Sequence, residues 1–513
     1  MIMDKRNEFD NSRPFDVHKW GNYPEVNAAV DAIYQEILSL GEMERQHPGR
    51  TKKYVKVLAL DLFVLHVTDP TAYIGISRHH GCYKNTRYNA LHIKPELLTK
   101  ISDWFQSLGY IEHKMGFRFI NYAEGSKDGQ VYGRQSRIRA TQKFIDLIKT
   151  QYSVSSLMVK KYGGAETIIL RDEKKKEQLY EDTDETNRMR DNLRIINELL
   201  DKTLININLS DQDFHKLSHR MITGEIDSGI EHEEPRGAID FNRRWLYRIF
   251  NNGSFDQGGR FYGGWWQGIP REIRKFIRIN HNITRECDFS GMHINLLYAQ
   301  KDMDMPFDDP YHLNGFPDGT RNFVKRSLLT VINAKDRRAA LKSLRRQITE
   351  KKLFLPEGVK NIEEILQPFE AKHETIKDIF FSGKGVFLQK WDSRIAEEIM
   401  ISLAKKGIPA LPLHDSFIVS EHQERGLRTV MLAAYNKVTG RAIRIDGKTS
   451  LLDLNCQRTI EELREEQKRR TAGADKMKYS EYYRRNQEWL EITGITNIFP
   501  FIRGAMFNRE EFV

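Results

Sequence analysis

The chain has 513 residues, of which 39% are hydrophobic and 11% aromatic, so it is long and apolar enough for roughly two to four domains with buried cores. Lysine and arginine exceed aspartate and glutamate by 81 − 71 = 10, which favours a polyanionic partner such as nucleic acid, although many soluble proteins are equally basic. The three cysteines are scattered, which argues against a disulfide framework and predicts a reducing, cytoplasmic compartment. The sequence has no long apolar run, which predicts no membrane partner.

The first half of the chain contains one clear helical pattern. Between Pro95 and Gly109 the apolar residues recur at spacings of four, four and three, which predicts an amphipathic helix. These residues are Leu97, Ile101, Phe105 and Leu108. Two strand-like pieces, YIEHK and FRFINY, follow on either side of Gly116 and predict a short hairpin. The basic segment SRIRATQKFIDLIK after them predicts another helix.

This order of elements over residues 51–155 resembles a winged helix-turn-helix domain, particularly those of plasmid-type replication initiators. The resemblance implies that a helix enters the major groove of DNA while the hairpin wing contacts the backbone. The expected DNA contacts beside the wing are Arg134, Arg137 and Arg139. The alternative is a winged fold that serves only protein contacts. Residues 1–50 are expected to form an N-terminal extension.

Residues 156–234 predict a linker followed by a helical region. The mixed-charge run RDEKKKEQLYEDTDET, residues 171–186, is typical of an exposed linker or helix start. The helix after it carries a stripe for which we expect packing and no chemistry: Met189, Leu193, Ile196 and Leu200.

The last segment, residues 456–513, predicts a basic helical tail. A capping pattern begins at Thr459, and lysines, arginines and tyrosines interleave in KMKYSEYYRR. Such mixtures can grip phosphates and stack on bases, and an ordinary solvated helix fits the pattern equally well.

Two segments of the second half place an aspartate at the end of a strand. In RECDFSGMHINLLYAQ, a strand is expected to end at Asp288 and a helix to begin just after it. In GIPALPLHDSFIV, apolar strands flank a histidine and Asp415, which predicts a tight hairpin with a carboxylate at its tip. Each signal alone is weak, because an aspartate at a strand end usually caps a helix and a His-Asp pair usually marks a turn.

Between these segments, GTRNFVKRSLLTVINA predicts a helix with two cations on one face. Arg321, Lys325, Leu329 and Asn333 repeat every four residues and therefore share that face. An anionic triphosphate could lie between the two cations. Two carboxylates from separate strands with a cationic helix between them are what two-metal phosphoryl transfer requires.

In this order the three segments resemble the polymerase motifs of the family A DNA polymerases and of the single-subunit, bacteriophage-type RNA polymerases. The resemblance covers residues 235–455 and implies an α+β right-hand fold of palm and fingers, with residues 156–234 as a thumb-like region. It implies that Asp288, Asp415 and the carbonyl of Phe289 bind two Mg²⁺ ions, for which Mn²⁺ can substitute. Arg321 and Lys325 would bind the triphosphate, and Lys325 would also protonate the leaving group.

Four more residues receive a role from the same resemblance. GGRFY resembles an element that precedes the first motif, and FLQKWDSRIAEEIM resembles a segment that carries a glutamine near the active site. Nucleic-acid contacts are thereby implied for Arg260, Tyr262, Gln389 and His414. By itself, the stretch FDQGGRFYGGWWQGIP predicts a turn over a tryptophan-rich core patch, with glycines that let two backbones approach closely.

Three positions of the predicted nucleotide pocket depart from these families. His293 stands where family A DNA polymerases carry a glutamate that crowds the 2′-carbon, and Asn333 stands where both families carry a tyrosine. Leu329 replaces an aromatic residue of the fingers helix, as in the phage RNA enzymes. Sugar selection therefore follows neither known arrangement, and the sequence leaves a DNA or an RNA product open.

The predicted function is a monomeric, template-directed nucleic-acid polymerase that uses dNTPs or NTPs on a DNA template or an RNA–DNA hybrid. It would serve replication, priming or transcription of a mobile element, phage or plasmid in a bacterial or phage-infected cell. Two alternatives stay open. One is a DNA-binding replication initiator or regulator with an inactive polymerase fold, and the other is a template-independent nucleotidyltransferase.

Overall fold

Two separate hydrophobic cores organise the mixed α+β chain, as expected for the coarse fold class. The computed structural model describes residues 11–41, 47–79, 83, 87–121, 130–223, 238–317, 319–350, 352–383, 385–446 and 478–495. The first core is built from residues between Phe15 and Val159, and the second from residues between Ile168 and Ile443. Residues 15–40 pack into the first core together with the domain expected to begin at residue 51.

The first core surrounds one central helix. Helices α1 to α4 span Pro24–Ser39, Pro48–Thr68, Pro95–Ser107 and Gln142–Ile145, and strands β1 to β8 span Ser12–Pro14, Lys19–Trp20, Tyr73–Ile76, Ile111–Lys114, Phe117–Asn121, Gln130–Arg134, Ser136–Ala140 and Lys160–Lys161. In α2 every residue from Tyr54 to Leu65 is buried, as in a helix enclosed on all sides. Helices α1 and α3 and a sheet of order β1-β3-β7-β4 pack around it.

The predicted amphipathic helix is confirmed as α3. Ile101 and Phe105 are fully buried, and Gly109 follows the helix end in the left-handed conformation, with a φ of +71°. Glycine adopts this backbone conformation without the steric cost that a side chain would add.

The predicted hairpin between YIEHK and FRFINY is wrong. Strand β4 pairs with β7, and β5 pairs with β6, so the two pieces follow one another along one arm of a longer ribbon. The helix predicted over SRIRATQKFIDLIK is wrong in its first five residues, which form β7. Arg137 and Arg139 alternate there with the fully buried Ile138, and this two-residue period is that of a strand.

The remaining elements belong to the second core, except that Trp489 of the last helix packs with Leu204 in a small cluster of its own. Helices α5 to α14 span Asp184–Asp201, Asp211–Thr223, Arg271–Arg274, Met292–Gln300, Thr320–Asn333, Arg337–Thr349, Glu363–Lys372, Gly385–Ala404, Glu424–Thr439 and Ser480–Thr493, and strands β9 to β17 span Ile168–Leu170, Ile205–Ile207, Arg244–Phe250, Gly258–Gly264, Ile277–Ile279, Asn282–Phe289, Leu411–Leu413, Ser416–Ser420 and Ile445–Asp446. Strands of the main sheet follow the order β10-β13-β14-β16-β15, with β17 also on β14, and all its pairs are antiparallel. A smaller sheet has the order β12-β11-β9.

The linker and the helix α5 behave as predicted from their patterns. Residues 173–177 are exposed, and the predicted stripe of α5 is buried, with 1–3% of each residue exposed: Met189, Leu193, Ile196 and Leu200. Tyr180 anchors the linker, because the guanidinium carbons of Arg87 and Arg190 lie 4.0 and 5.8 Å from its ring centroid. The linker is thereby tied to residues of both cores.

The described part of the predicted tail is a docked helix. In α14, Tyr482 and Trp489 are 3% and 2% exposed. The guanidinium of Arg485 lies 4.6 Å from the ring centroids of both Phe214 and Phe241, so this cation is used for packing. The capping pattern at Thr459 lies outside the described residues.

The glycines of β12 allow the strand to lie directly against its neighbours. At Gly259, an added Cβ would lie 2.7 Å from the Phe250 ring and 2.8 Å from Ser393 Oγ. At Gly263, where φ is +107°, it would lie 2.2 Å from the carbonyl oxygen of Trp245. Close backbone approach therefore explains the glycine pattern.

The predicted tryptophan-rich core patch is confirmed after this strand. Trp265 and Trp266 are 4% and 0% exposed. The indole Nε1 of Trp266 donates to the carbonyl of Pro412 at 3.1 Å, which fixes β12 relative to the hairpin of β15 and β16.

A buried histidine holds the loop between α8 and α9. Nε2 of His373 lies 2.8 Å from the carbonyl oxygen of Pro310, and Nδ1 lies 3.1 Å from the hydroxyl of Tyr298. Because a carbonyl can only accept, Nε2 carries the proton, and Nδ1 accepts from the tyrosine. Burial lowers the pKa of His373 to about 4, although the bond to Pro310 opposes that shift.

We predict that Gly263→Ala destabilises the second domain by about 2 kcal/mol or more, because alanine would have to adopt a positive φ and meet Trp245. Urea unfolding followed by circular dichroism measures this. Gly268→Ala is the control, since the nearest atom to its added Cβ, Met221 Cε, lies 4.0 Å away. Equal losses in the two variants would contradict this explanation of β12.

We predict that His373 makes stability fall as the pH drops from about 6.5 towards 4. The unfolded histidine binds a proton below about 6.5, whereas the folded one does so only near 4. Up to about 3 kcal/mol is therefore lost in this window. His373→Gln should flatten the dependence on pH, and the exposed control His215→Gln should not. A steep profile that persists in His373→Gln would rule out this origin.

Candidate active site

Asp288, near the end of β14, and Asp415, in the turn that leads into the adjacent strand β16, lie at one end of the main sheet. Asp288 is the penultimate residue of β14 and pairs in register with Ser416, the first residue of β16. Asp415 directly precedes Ser416 in the two-residue turn that joins β15 to β16. His414, the other residue of this turn, has a φ of +68°, as tight hairpins require. The predicted strand end and the predicted hairpin are both confirmed.

Asp288 ionises less readily than an ordinary aspartate. Burial and then the charge of Asp415 raise the pKa of Asp288 to about 8, while Lys325 acts in the opposite direction. Oδ1 of Asp288 is buried and accepts no hydrogen bond from any residue that the structure describes. The site therefore presents an unsatisfied carboxylate oxygen beside a second carboxylate.

A third carboxylate, Asp446, was missed by the sequence analysis. In β17 it pairs in register with Asp288, and its charge contributes to the raised pKa of Asp288. The main-chain N–H of Ser290 donates to the carbonyl of Arg444 at 2.9 Å and extends this pairing. The alternation of Ile443 and Ile445 before the aspartate was the only signal, and it is short.

The predicted cationic helix is confirmed as α9, and its first turn faces a buried tyrosine. Arg321 Nε donates to Asp309 Oδ2 at 2.5 Å, and the guanidinium carbon lies 5.7 Å from the ring centroid of Tyr311. Lys325, one turn further on, is exposed and makes no ion pair with the described residues.

Tyr311 is a second residue that the sequence analysis missed. It is 5% exposed, and burial and then the charge of Asp415 raise its pKa, with a smaller contribution from Asp288. The phenol therefore lies within the field of both aspartates. Tyr311 belongs to an irregular loop without periodicity, so only the fold reveals its position.

Arg260 belongs to a buried network that lies within electrostatic reach of Asp415. Its Nε and Nη2 donate to Asp392 Oδ2 at 2.7 and 2.5 Å, and Nη2 lies 3.3 Å from His293 Nε2. The side chains of Arg260 and Asp392 are 11% and 1% exposed. A contact between Arg260 and nucleic acid would therefore require this ion pair to open.

His293 is held neutral by this network. Burial and then the charge of Arg260 lower the pKa of His293, against the opposing charges of Asp415 and Asp392. Because the guanidinium can only donate, Nε2 accepts and Nδ1 carries the proton. Asp392 itself was not singled out from the sequence, although it lies in the segment FLQKWDSRIAEEIM.

A second buried ion pair joins α12, the helix that carries Asp392, to the sheet that contains β11 and β12. Arg248 Nη1 donates to Glu397 Oε2 at 2.6 Å, and its Nε donates to the carbonyl of Gly259 at 2.7 Å. Their side chains are 1% and 10% exposed. Asp392 and Glu397 both belong to α12, so this helix docks on β11 and β12 through two buried carboxylates.

The remaining predicted nucleotide and nucleic-acid contacts are spread around this centre. The ring of Tyr262 lies 5.8 Å from that of His414, edge to face. Gln389 is half-buried on α12, and the ring of Phe289 is buried. Asn333 is exposed at the opposite end of α9 from Arg321, about 18 Å away along the axis. An added Cβ at Gly385 would lie 1.9 Å from the Asn333 side-chain oxygen.

The side chain of Leu329 lies outside the described part of the chain. The predicted DNA contacts of the first domain sit on β6 and β7. Arg139 pairs with Glu112 at 2.5 Å and covers the ring of Tyr73 at 4.7 Å, while Arg134 and Arg137 are half-buried.

No protein-family model matches the sequence, and a search of curated proteins finds no significant match. Among the described residues, no group of three or more His, Cys, Asp or Glu side chains is arranged to hold a metal ion, so the predicted site depends on two aspartates and a main-chain carbonyl. In the described part of the chain, no helix has the length and apolar character to cross a membrane.

Proposed function

We propose that the chain is a template-directed nucleic-acid polymerase whose right-hand domain covers residues 235–455. One observation carries the proposal. Asp288, near the end of β14, and Asp415, in the turn before the adjacent strand β16, are far apart in sequence but come together, and a buried oxygen of Asp288 has no partner among the described residues. A site of this kind suits a reaction in which both carboxylates share cations.

The residues present fit the implied Mg²⁺ ions. Burial and the charge of Asp415 raise the pKa of Asp288, and a cation bound by these carboxylates would favour their ionised forms. Asp288, Asp415 and the carbonyl of Phe289 would hold the metal, with Mn²⁺ as a substitute. When bound, the metal lowers the pKa of a 3′-hydroxyl and neutralises charge on the phosphates.

The chain's own cations complete the site. Arg321 and Lys325 are one turn apart on α9, and both would bind the triphosphate, with Arg321 exchanging Asp309 for a phosphate oxygen. Lys325 Nζ is close enough to Asp288 to influence its pKa. Its ammonium group would donate a proton to the departing pyrophosphate.

The sugar end of the nucleotide would meet His293. Its Nε2 is engaged by Arg260 and its Nδ1–H is available as a donor. A neutral imidazole can donate one hydrogen bond to a sugar hydroxyl without placing a charge next to Asp415. This arrangement leaves both dNTPs and NTPs as candidate substrates, and the assay below separates them.

The first domain would deliver the enzyme to DNA as a winged-helix module. The order α3, β4, β7, with β3 paired to β7, supports this role, because a helix followed by an antiparallel ribbon is the arrangement such modules use. Arg134 and Arg137 stand on the ribbon and would contact the phosphate backbone.

We predict that the purified protein extends a primed DNA template with Mg²⁺ and either dNTPs or NTPs. Asp288→Ala and Asp415→Ala should each reduce incorporation by more than about 10²-fold, since metal binding contributes several kcal/mol to such reactions. Lys437→Gln, which removes an exposed cation bound to Glu398, is the control. Absence of incorporation from both pools would refute the proposal, and incorporation without a template would select a template-independent nucleotidyltransferase.

We predict that Mg²⁺ at about ten times its Kd raises the Tm of the protein by about 2 °C, because it binds only the folded pair of aspartates. Asp288→Asn should abolish this shift. In a chelator at pH 8 the same variant should melt no lower than the parent, since it removes the repulsion with Asp415. Asp191→Asn, at an exposed position, should keep the shift. An Mg²⁺ shift retained in Asp288→Asn would place the metal elsewhere.

A further inference from the structure

Positive charge is concentrated on the helices α9 and α10. Residues 320–350 contain nine lysines and arginines and two acidic residues, a net charge of 9 − 2 = +7 in a chain whose total is +10. Only part of this charge is explained by the site described above, which uses Arg321 and Lys325. The remainder lies mainly on α10.

The cations of α10 fall into two groups. Arg337 is bonded to Glu363 and Glu370, and Arg346 lies 3.8 Å from Glu350. In contrast, three exposed cations of this helix have side chains that make no hydrogen bond or ion pair with the described residues: Arg338, Lys342 and Arg345.

These three residues form one stripe, here called the basic face. Their spacings of four and three place them on one side of the helix, whereas Ala340 and Leu344 on the other side are fully buried. The stripe is about 10 Å long, at 1.5 Å per residue. Each strand of a duplex carries one phosphate per 3.4 Å or so of axis, so the face matches about three phosphates.

Like charges one helical turn apart destabilise a helix by a few tenths of a kcal/mol each. Elsewhere this chain supplies acids to exposed cations, as with Arg194 and Glu198 or Arg484 and Glu488. The basic face has no such acids. A linear array of three uncompensated cations is complementary to a regularly spaced polyanion.

We propose that the basic face of α10 binds the phosphate backbone of nucleic acid outside the site of Asp288 and Asp415. The proposal rests on the proposed function for the nature of the polyanion, and it does not depend on catalysis. Binding measured without metal or nucleotide therefore tests this surface separately from the polymerase activity. A protein that binds DNA through the basic face but incorporates no nucleotide would refute the proposed polymerase function and leave the proposal for the basic face intact.

The test is the salt dependence of affinity for fluorescent single-stranded and duplex DNA of random sequence, in a chelator. The variant is Arg338→Gln/Lys342→Gln/Arg345→Gln. Three lost contacts should reduce the slope of log K against log salt by about 2.7 for duplex and about 2.1 for single strands. At 0.1 M salt this corresponds to a loss of affinity on the order of 10²-fold. The form of DNA for which the slope falls by the expected amount is the form that the basic face binds.

The matched control is Arg194→Gln/Lys301→Gln/Lys437→Gln, which removes the same charge from exposed cations that have acidic partners. It should change the slope by less than about 1. Arg338→Lys/Lys342→Arg/Arg345→Lys keeps the charges and should bind like the parent, and equal Tm values exclude misfolding. Failure of the parent to bind DNA, or equal losses in both triple variants, would overturn the proposal.

Discussion

Burial of Asp288 and the nearby charge of Asp415 oppose the ionisation of Asp288, because little water screens the two carboxylates from each other. Ionising both carboxylates in the folded chain therefore costs free energy, which the rest of the second core or a bound cation must offset. The register of β14 against β16 sets this cost. Cys287 pairs with Phe417 next to the site, and both are buried. A slip of β14 by one residue would turn Asp288 to the opposite face of the sheet and move the side chain of Cys287 out of its buried position.

Of the positively charged side chains around the site, some are exposed to solvent and others are buried. Lys325 is exposed on α9, whereas Arg260 is enclosed with Asp392 and His293. An exposed cation can exchange its water for a phosphate at little cost, but a buried ion pair loses several kcal/mol when one partner is taken away. The two cations therefore suit different tasks. Lys325 is suited to a ligand that enters and leaves, and Arg260 to holding His293 in one tautomer.

The parts of the site that the sequence predicted are those with local signals. Apolar residues that end at Asp288, apolar runs on both sides of Asp415, and the four-residue repeat of α9 each depend on neighbours along the chain. Asp392, Tyr311 and Asp446 reach the site through long-range packing, which leaves no periodic trace. The error over SRIRA has a different origin: the strand period around Ile138 extends over only five residues, and burial against the first core makes it decisive.

The glycines of β12 and the carboxylates of α12 together determine how this helix packs against the strand. Without a side chain at Gly259, the helix comes close enough for Ser393 Oγ to donate to the carbonyl of Gly258 at 3.3 Å. Arg248 then reaches both the carbonyl of Gly259 and Glu397. Buried charges tolerate few other arrangements, because any shift of α12 along the strand would leave an ion pair broken in the interior. The glycines thus allow a docking register that the charges specify, and this register places Asp392 beside Arg260 and His293.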